Sequence, residues 1–166
     1  MIIELIKFGG INLSDTVNFE IKIPSDDDGY ILLQCEHCGG FFKCIATDIE
    51  DDSVLNIYCP SCGLISESYL TEDVIELAMT KVENYATNMI YDAFKGFEFK
   101  NKQNNVVNFK TGKKPELKHE NPIYSSIEAL EINYYPCCKR SAKINSLLKM
   151  SASYCPFCGG IHFADE

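Results

Sequence analysis

Cys35-Glu36-His37-Cys38-Gly39-Gly40 and Cys59-Pro60-Ser61-Cys62-Gly63 decide how this chain folds. A Cys-x-x-Cys turn brings two thiols to one point while the amides between them face sulfur. Two such turns supply the four tetrahedral ligands of a structural zinc ion, and their separation falls in the zinc-ribbon range. Glycine after the second cysteine accepts the positive φ that the turn needs, and Pro60 stiffens the turn. The spacing therefore predicts a first metal site made by Cys35, Cys38, Cys59 and Cys62.

A second group lies near the other end. Cys155-Pro156-Phe157-Cys158-Gly159-Gly160 repeats the pattern, but its partner is the adjacent pair Cys137-Cys138, which lacks the spacing of such a turn. Either Cys137 and Cys138 both bind with Cys155 and Cys158, or Cys138 binds alone and His162 completes the shell. Cys44, on a strand after Phe41-Phe42-Lys43, reads as a small buried hydrophobe. His37, inside the first turn, could replace a thiolate, but four cysteines are already available there, and His119 reads as exposed.

Nine cysteines in 166 residues suit either disulfides or metal, and compartment separates the two. Met1-Ile2-Ile3-Glu4-Leu5-Ile6-Lys7 is not an export signal, and no apolar run approaches the roughly 18 residues of a membrane span. A cytoplasmic location with reduced, metal-bound thiols is the expectation. The 46% hydrophobic and 23% charged residues exclude a disordered chain. The net charge of −9 excludes a general attraction to phosphate backbones or anionic lipid. That charge is uneven: residues 1–94 hold four lysines and seventeen acids, while residues 95–118 hold seven lysines and two acids.

Alternation at Val17, Phe19, Ile21 and Ile23 predicts a strand that ends at Pro24 and an acidic turn. Tyr30–Gln34, Phe41–Ile45 and Val54–Tyr58 read as strands around the first cysteine turns. Thr71, followed by Glu72 and Asp73, starts a long helix whose apolar face carries Ile75, Ala78, Val82, Tyr85, Met89 and Ala93, and which Gly96 stops. Phe97–Lys100 and Val106–Lys110 read as a hairpin, followed by a lysine-rich loop and a short helix or turn at Ser125–Leu130. The fold class expected is α+β: two small zinc-ribbon β lobes joined by one long α-helix, with a β-hairpin before the second ribbon. The divisions are 1–67, 68–96 and 97–166.

Lys100, Lys102, Lys110, Lys113, Lys114 and Lys118, interleaved with Phe97, Phe99 and Phe109, suit a nucleic-acid surface. They equally suit a solvated hairpin whose lysines neutralise the acidic N-terminal part, and the lack of arginine favours that reading. A catalytic zinc needs an open coordination position and a nearby base. Neither that arrangement nor a phosphate-binding glycine loop or nucleophile elbow stands in this sequence, so no enzyme is expected.

Asp28-Gly29-Tyr30-Ile31 before Cys-x-x-Cys, then Phe42-Lys43, Cys-Pro-x-Cys-Gly, Asp92-Ala93-Phe94-Lys95-Gly96-Phe97, and Ala129-Leu130-Glu131 before a second Cys-Pro-x-Cys-Gly form a recognisable order. From about residue 28 onward the chain resembles a group of uncharacterised bacterial double zinc-ribbon proteins. In that group the second ribbon opens with Cys-x-x-Cys, whereas Tyr135 stands here at the first of those positions. The resemblance implies two zinc ions, a bacterial origin and no settled activity. By analogy with zinc ribbons in general, the first expectation is a non-enzymatic accessory or adaptor protein that binds a protein partner, in a regulatory or defence assembly. A nucleic-acid-binding regulator and a thiol redox sensor are the alternatives.

Overall fold

A computed structural model describes residues 2–9, 16–101, 110–124 and 129–164. The fold is mixed α+β. The first half holds β1 (Ile2–Gly9), β2 (Thr16–Lys22), β3 (Tyr30–Gln34), β4 (Phe41–Ile45) and the short α1 (Ala46–Ile49). The long α2 (Glu72–Asn101) follows. The second half holds β5 (Leu130–Tyr135), β6 (Arg140–Asn145), α3 (Ser146–Lys149), β7 (Ala152–Tyr154) and β8 (Ile161–Phe163).

β1 and β2 form an antiparallel pair, and β7 and β8 another. Between them in the chain, the remaining strands form a four-stranded sheet in the order β3-β4-β6-β5. The reading of two lobes joined by a helix lacked this direct join: β4 of the first half pairs antiparallel with β6 of the second. Residues 30–49 and 130–149 run through the same order of strand, turn, strand and four-residue helix. Lys43 lies opposite its own counterpart, Lys143. A local two-fold axis therefore passes through that pair, and each half presents the same strand edge to the other.

Two ammonium groups facing each other across a ladder repel. The acidic turn after β2 neutralises them. Asp26 Oδ2 lies 3.1 Å from Lys43 Nζ and 2.9 Å from Lys143 Nζ, and Asp28 Oδ2 lies 2.6 Å from Lys143 Nζ. Burial alone would raise the Asp26 carboxyl pKa, but the Lys143 ammonium, the Tyr30 amide and the Lys43 ammonium outweigh it and hold the value down to about 2.

The core lies on one face of this sheet and draws on both halves, with Ile31, Phe42 and Cys44 from the first and Ala142, Ile144 and Phe157 from the second. Val74 and Ala78 of α2 complete it. Cys44 is fully buried, as its strand position suggested, and burial pushes its thiol well above the ordinary range.

Helix α2 starts where Thr71 and the acidic pair Glu72-Asp73 placed it, but only part of its expected apolar face is buried. Val74 and Ala78 are buried, whereas Ile75, Tyr85 and Met89 are exposed. Asn84 is buried because it clamps the loop before β5: Lys118 N–H donates to Asn84 Oδ1 at 2.8 Å, and Asn84 Nδ2 donates to the Lys118 carbonyl at 3.0 Å. The helix does not stop at Gly96. It continues to Asn101, so Phe97–Lys100 are helical and not a hairpin strand. A glycine inside a helix costs only about 1 kcal/mol, and Glu98 at this end accepts a hydrogen bond from Thr111 N–H at 3.0 Å. The other expected hairpin strand, 106–110, lies almost wholly outside the described residues, as does most of the turn expected at 125–130. Val54–Tyr58 forms no strand; Tyr58 makes a single bridge to Ile65.

Candidate metal centres

The two groups of cysteines that the sequence singled out converge at two points: Cys35, Cys38, Cys59 and Cys62 at one, Cys137, Cys138, Cys155 and Cys158 at the other. Within each group all four sulfurs lie within 4.8 Å of one another. Four sulfurs held tetrahedrally at about 2.3 Å from a common centre stand about 3.8 Å apart. Cys35–Cys62 at 3.8 Å, Cys38–Cys59 at 3.6 Å and Cys137–Cys158 at 3.5 Å agree with that. The donor sets fit a thiophilic metal ion.

Local backbone explains why three of the four turns form. Gly39 N–H donates to the Cys35 carbonyl, Gly63 N–H to that of Cys59 and Gly159 N–H to that of Cys155, each at 2.8 or 2.9 Å. All three glycines take positive φ, between 69° and 72°. The fourth turn differs. Tyr135 stands where a cysteine stands in the other three, and Cys138 N–H donates to its carbonyl at 3.2 Å. Lys139, the counterpart of Gly39, adopts φ 53°, the one positive φ outside glycine among the described residues.

Tyr135 is fully buried, and its hydroxyl lies 3.1 Å from Ser153 Oγ. The fourth sulfur of this group is that of Cys137, at the position His37 occupies in the first half. His162 Nε2 lies 3.0 Å from Cys137 Sγ. The adjacent pair and the histidine are therefore brought together, with His162 beside the cysteine cluster. His37 is elsewhere engaged, 3.0 Å from the Ile65 carbonyl, and His119 is exposed.

The thiols of the first group differ in acidity. Burial pushes Cys59 up to about 12. Burial also opposes ionisation of Cys35, but the Cys38 amide and the Ser66 hydroxyl, among other donors, hold it down to about 6. Four close sulfurs cannot all ionise without a cation between them. Cys35 and Cys59 are buried, whereas in the second group Cys137 and Cys158 are exposed and only Cys155 is buried.

The two centres are coupled through backbone. Tyr58 N–H donates to the Pro156 carbonyl at 2.8 Å, and Tyr154 N–H donates to the Pro60 carbonyl at 2.9 Å. Each tyrosine precedes the first cysteine of its own turn, and each proline follows the first cysteine of the other. The rings cross in the same reciprocal way. A Cβ on Gly63 would meet the Tyr154 ring at 2.8 Å, and one on Gly159 would meet the Tyr58 ring at 2.8 Å. The second cysteine turn of each half thus rests on that of the other, about the two-fold that relates β4 to β6.

No protein-family model, curated protein or solved structure matches the chain. The resemblance to double zinc-ribbon proteins rests on the residues themselves, through two four-cysteine groups consistent with two zinc-ribbon-like sites.

Lys118 pairs with Glu83 at 2.5 Å, while Lys110, Lys113 and Lys114 are exposed on an irregular stretch. Lys102 lies outside the described residues, and the side chain of Lys100 is not described. No helix among the described residues is long and apolar enough to cross a membrane. Sequence reasoning missed Tyr58 and Tyr154 as coupling residues. The signal was present, since a tyrosine precedes the first cysteine of both Cys-Pro-x-Cys-Gly turns.

Proposed function

We propose that each four-cysteine group binds one zinc ion as a structural cross-link, and that the chain is a non-enzymatic cytoplasmic adaptor of zinc-ribbon type that presents its surface to a protein partner. The observation that carries the zinc reading is the convergence of four sulfurs within 4.8 Å in each group, with Cys35–Cys62, Cys38–Cys59 and Cys137–Cys158 at the spacing tetrahedral ligands have. Zinc held by four thiolates has no open position for water and is a poor Lewis acid, so it supplies rigidity and not chemistry. The coupled turns support the same role, because a metal in either site braces the backbone on which the other rests.

Elemental analysis of protein purified without chelator should give two zinc ions per chain. Chemical cross-linking with mass spectrometry in the native host should then recover one recurrent protein partner. A chain free of metal overturns the zinc reading. Crosslinks to nucleic acid, lost when Lys113 and Lys114 are both changed to glutamate, overturn the adaptor reading.

A further inference from the structure

We propose that the outer edge of β5 is an interface at which a second copy of this chain adds its own β5 antiparallel, continuing the four-stranded sheet through two molecules. The inference stands independently of the metal reading and names an interaction surface that the adaptor reading leaves open.

The internal two-fold supplies the control. β3 and β5 are equivalent strands at opposite ends of the sheet. The outer edge of β3 is covered: Ser25 bridges to Ile31, and Gln34 N–H donates to the Tyr69 carbonyl at 3.0 Å. Among the described residues β5 pairs only with β6, on its inner side. An uncovered edge offers unpaired amides and carbonyls to another strand, and edges meant to stay alone are guarded by charge or proline. On β5 one face carries Ile132 and Tyr134, at 49% and 58% exposure, and the single exposed charge, Glu131, lies on the other face.

Four side chains around that edge change from polar to apolar, while on the strand itself Ile31 and Leu33 become Glu131 and Asn133. Gln34, Thr47, Glu50 and Glu67 in the first half become Tyr134, Leu147, Met150 and Phe163 in the second. Leu147, Met150 and Phe163 are each more than two-thirds exposed. A group of exposed apolar side chains beside the open edge points to an interface there.

Strand composition selects a second copy as the occupant. Antiparallel pairing of β5 with β5 about Ile132 places Ile132 opposite Ile132 and Tyr134 opposite Leu130 of the second copy. Glu131 then faces Asn133 of the second copy, so no like charges meet. Aromatic and branched side chains opposite one another are the favoured cross-strand pairs. A net charge of −9 opposes self-association, but local charge here is already paired: Glu131 lies 3.1 Å from Lys149, and Lys143 is held by Asp26 and Asp28. The patch therefore asks for no charged partner and is complementary to itself, as a two-fold interface must be.

Sedimentation equilibrium of the zinc-loaded chain, from micromolar to submillimolar concentration, tests this directly. The expected mass rises from one chain to two. Ile132→Lys sets two ammonium groups face to face on the axis and should leave a monomer; Tyr134→Ser, a milder change, should weaken the dimer at least tenfold. Gln34→Lys, at the covered end, should dimerise like the unaltered chain. Zinc content and the melting curve, measured on the same samples, separate loss of the interface from loss of the fold. A wild-type chain that stays monomeric throughout, or a dimer that tolerates Tyr134→Ser, overturns the proposal.

Discussion

The two halves of this molecule share a backbone plan and differ in how each supports its cysteines. In the first half both turns have ordinary spacing, and Cys35 and Cys59 are buried. In the second, a buried tyrosine replaces the first cysteine, an exposed neighbour provides the sulfur, and a histidine stands beside it. The surroundings differ as well. Arg140 pairs with Asp51 at 2.8 Å and lies over the Phe157 ring at 5.4 Å. The counterparts of these two residues, Gly40 and Ser61, have no such side chains, and they border an open groove of about 410 Å³. The first half thus relies on thiolates at its centre, while the second combines its thiolates with an aromatic core. Metal loss should therefore hurt the two halves unequally.

The largest expected effect follows from that inequality. Cys59→Ser removes a buried ligand at the point where the halves touch, and a structural zinc site contributes on the order of 10 kcal/mol. The variant should lose its cooperative melt. Cys137→Ser removes an exposed sulfur above a packed tyrosine, and should keep a cooperative transition and more than one zinc ion per chain. Differential scanning calorimetry with metal analysis compares the two; equal losses would erase the distinction.

A smaller effect tests what the halves have in common. Gly63→Ala and Gly159→Ala each force a side chain into positive φ and against the tyrosine of the other half. Each should cost about 2 to 3 kcal/mol, and the two costs should agree. A large difference in urea midpoints would mean that the crossed tyrosines are not equivalent supports.

Tyr135→Phe keeps the ring and removes the hydroxyl that meets buried Ser153. About 1 kcal/mol should be lost, with zinc content unchanged. If zinc is lost from the second site instead, the tyrosine acts on the metal and not merely on packing.

Asp26→Asn should have an effect of similar size, about 1 to 2 kcal/mol at neutral pH, with Asp26 the shared counter-charge of Lys43 and Lys143. Its native pKa, about 2, lies below the ordinary 3.8. The stabilisation is therefore complete above about pH 5, and the gap between wild type and variant should narrow as pH falls through 3.8 toward 2. Urea midpoints across that range check the sign.

Local chemistry was legible in the sequence. The Cys-x-x-Cys turns located the cysteine groups, alternation located β2, the apolar stretches beside the first turns located β3 and β4, and Thr71-Glu72-Asp73 located the start of α2. The join between halves was not legible, because strand pairing between residues 43 and 143 leaves no local pattern. Few identities mark the repeat, and a tyrosine, a lysine and an arginine stand where its glycines and first cysteine would be expected. Gly96 misled because a helix supported elsewhere tolerates one glycine. Phe97-Glu98-Phe99-Lys100 misled because four alternating residues are too short to distinguish a strand from a helix end.

Metal removal under native conditions tests most directly whether thiolate-bound zinc supports the fold of the two halves. Native mass spectrometry should find two zinc ions on the folded chain, and stripping with a chelator should abolish the cooperative melt, with readdition of zinc restoring it. A metal-free chain that unfolds cooperatively at an unchanged temperature would contradict that claim.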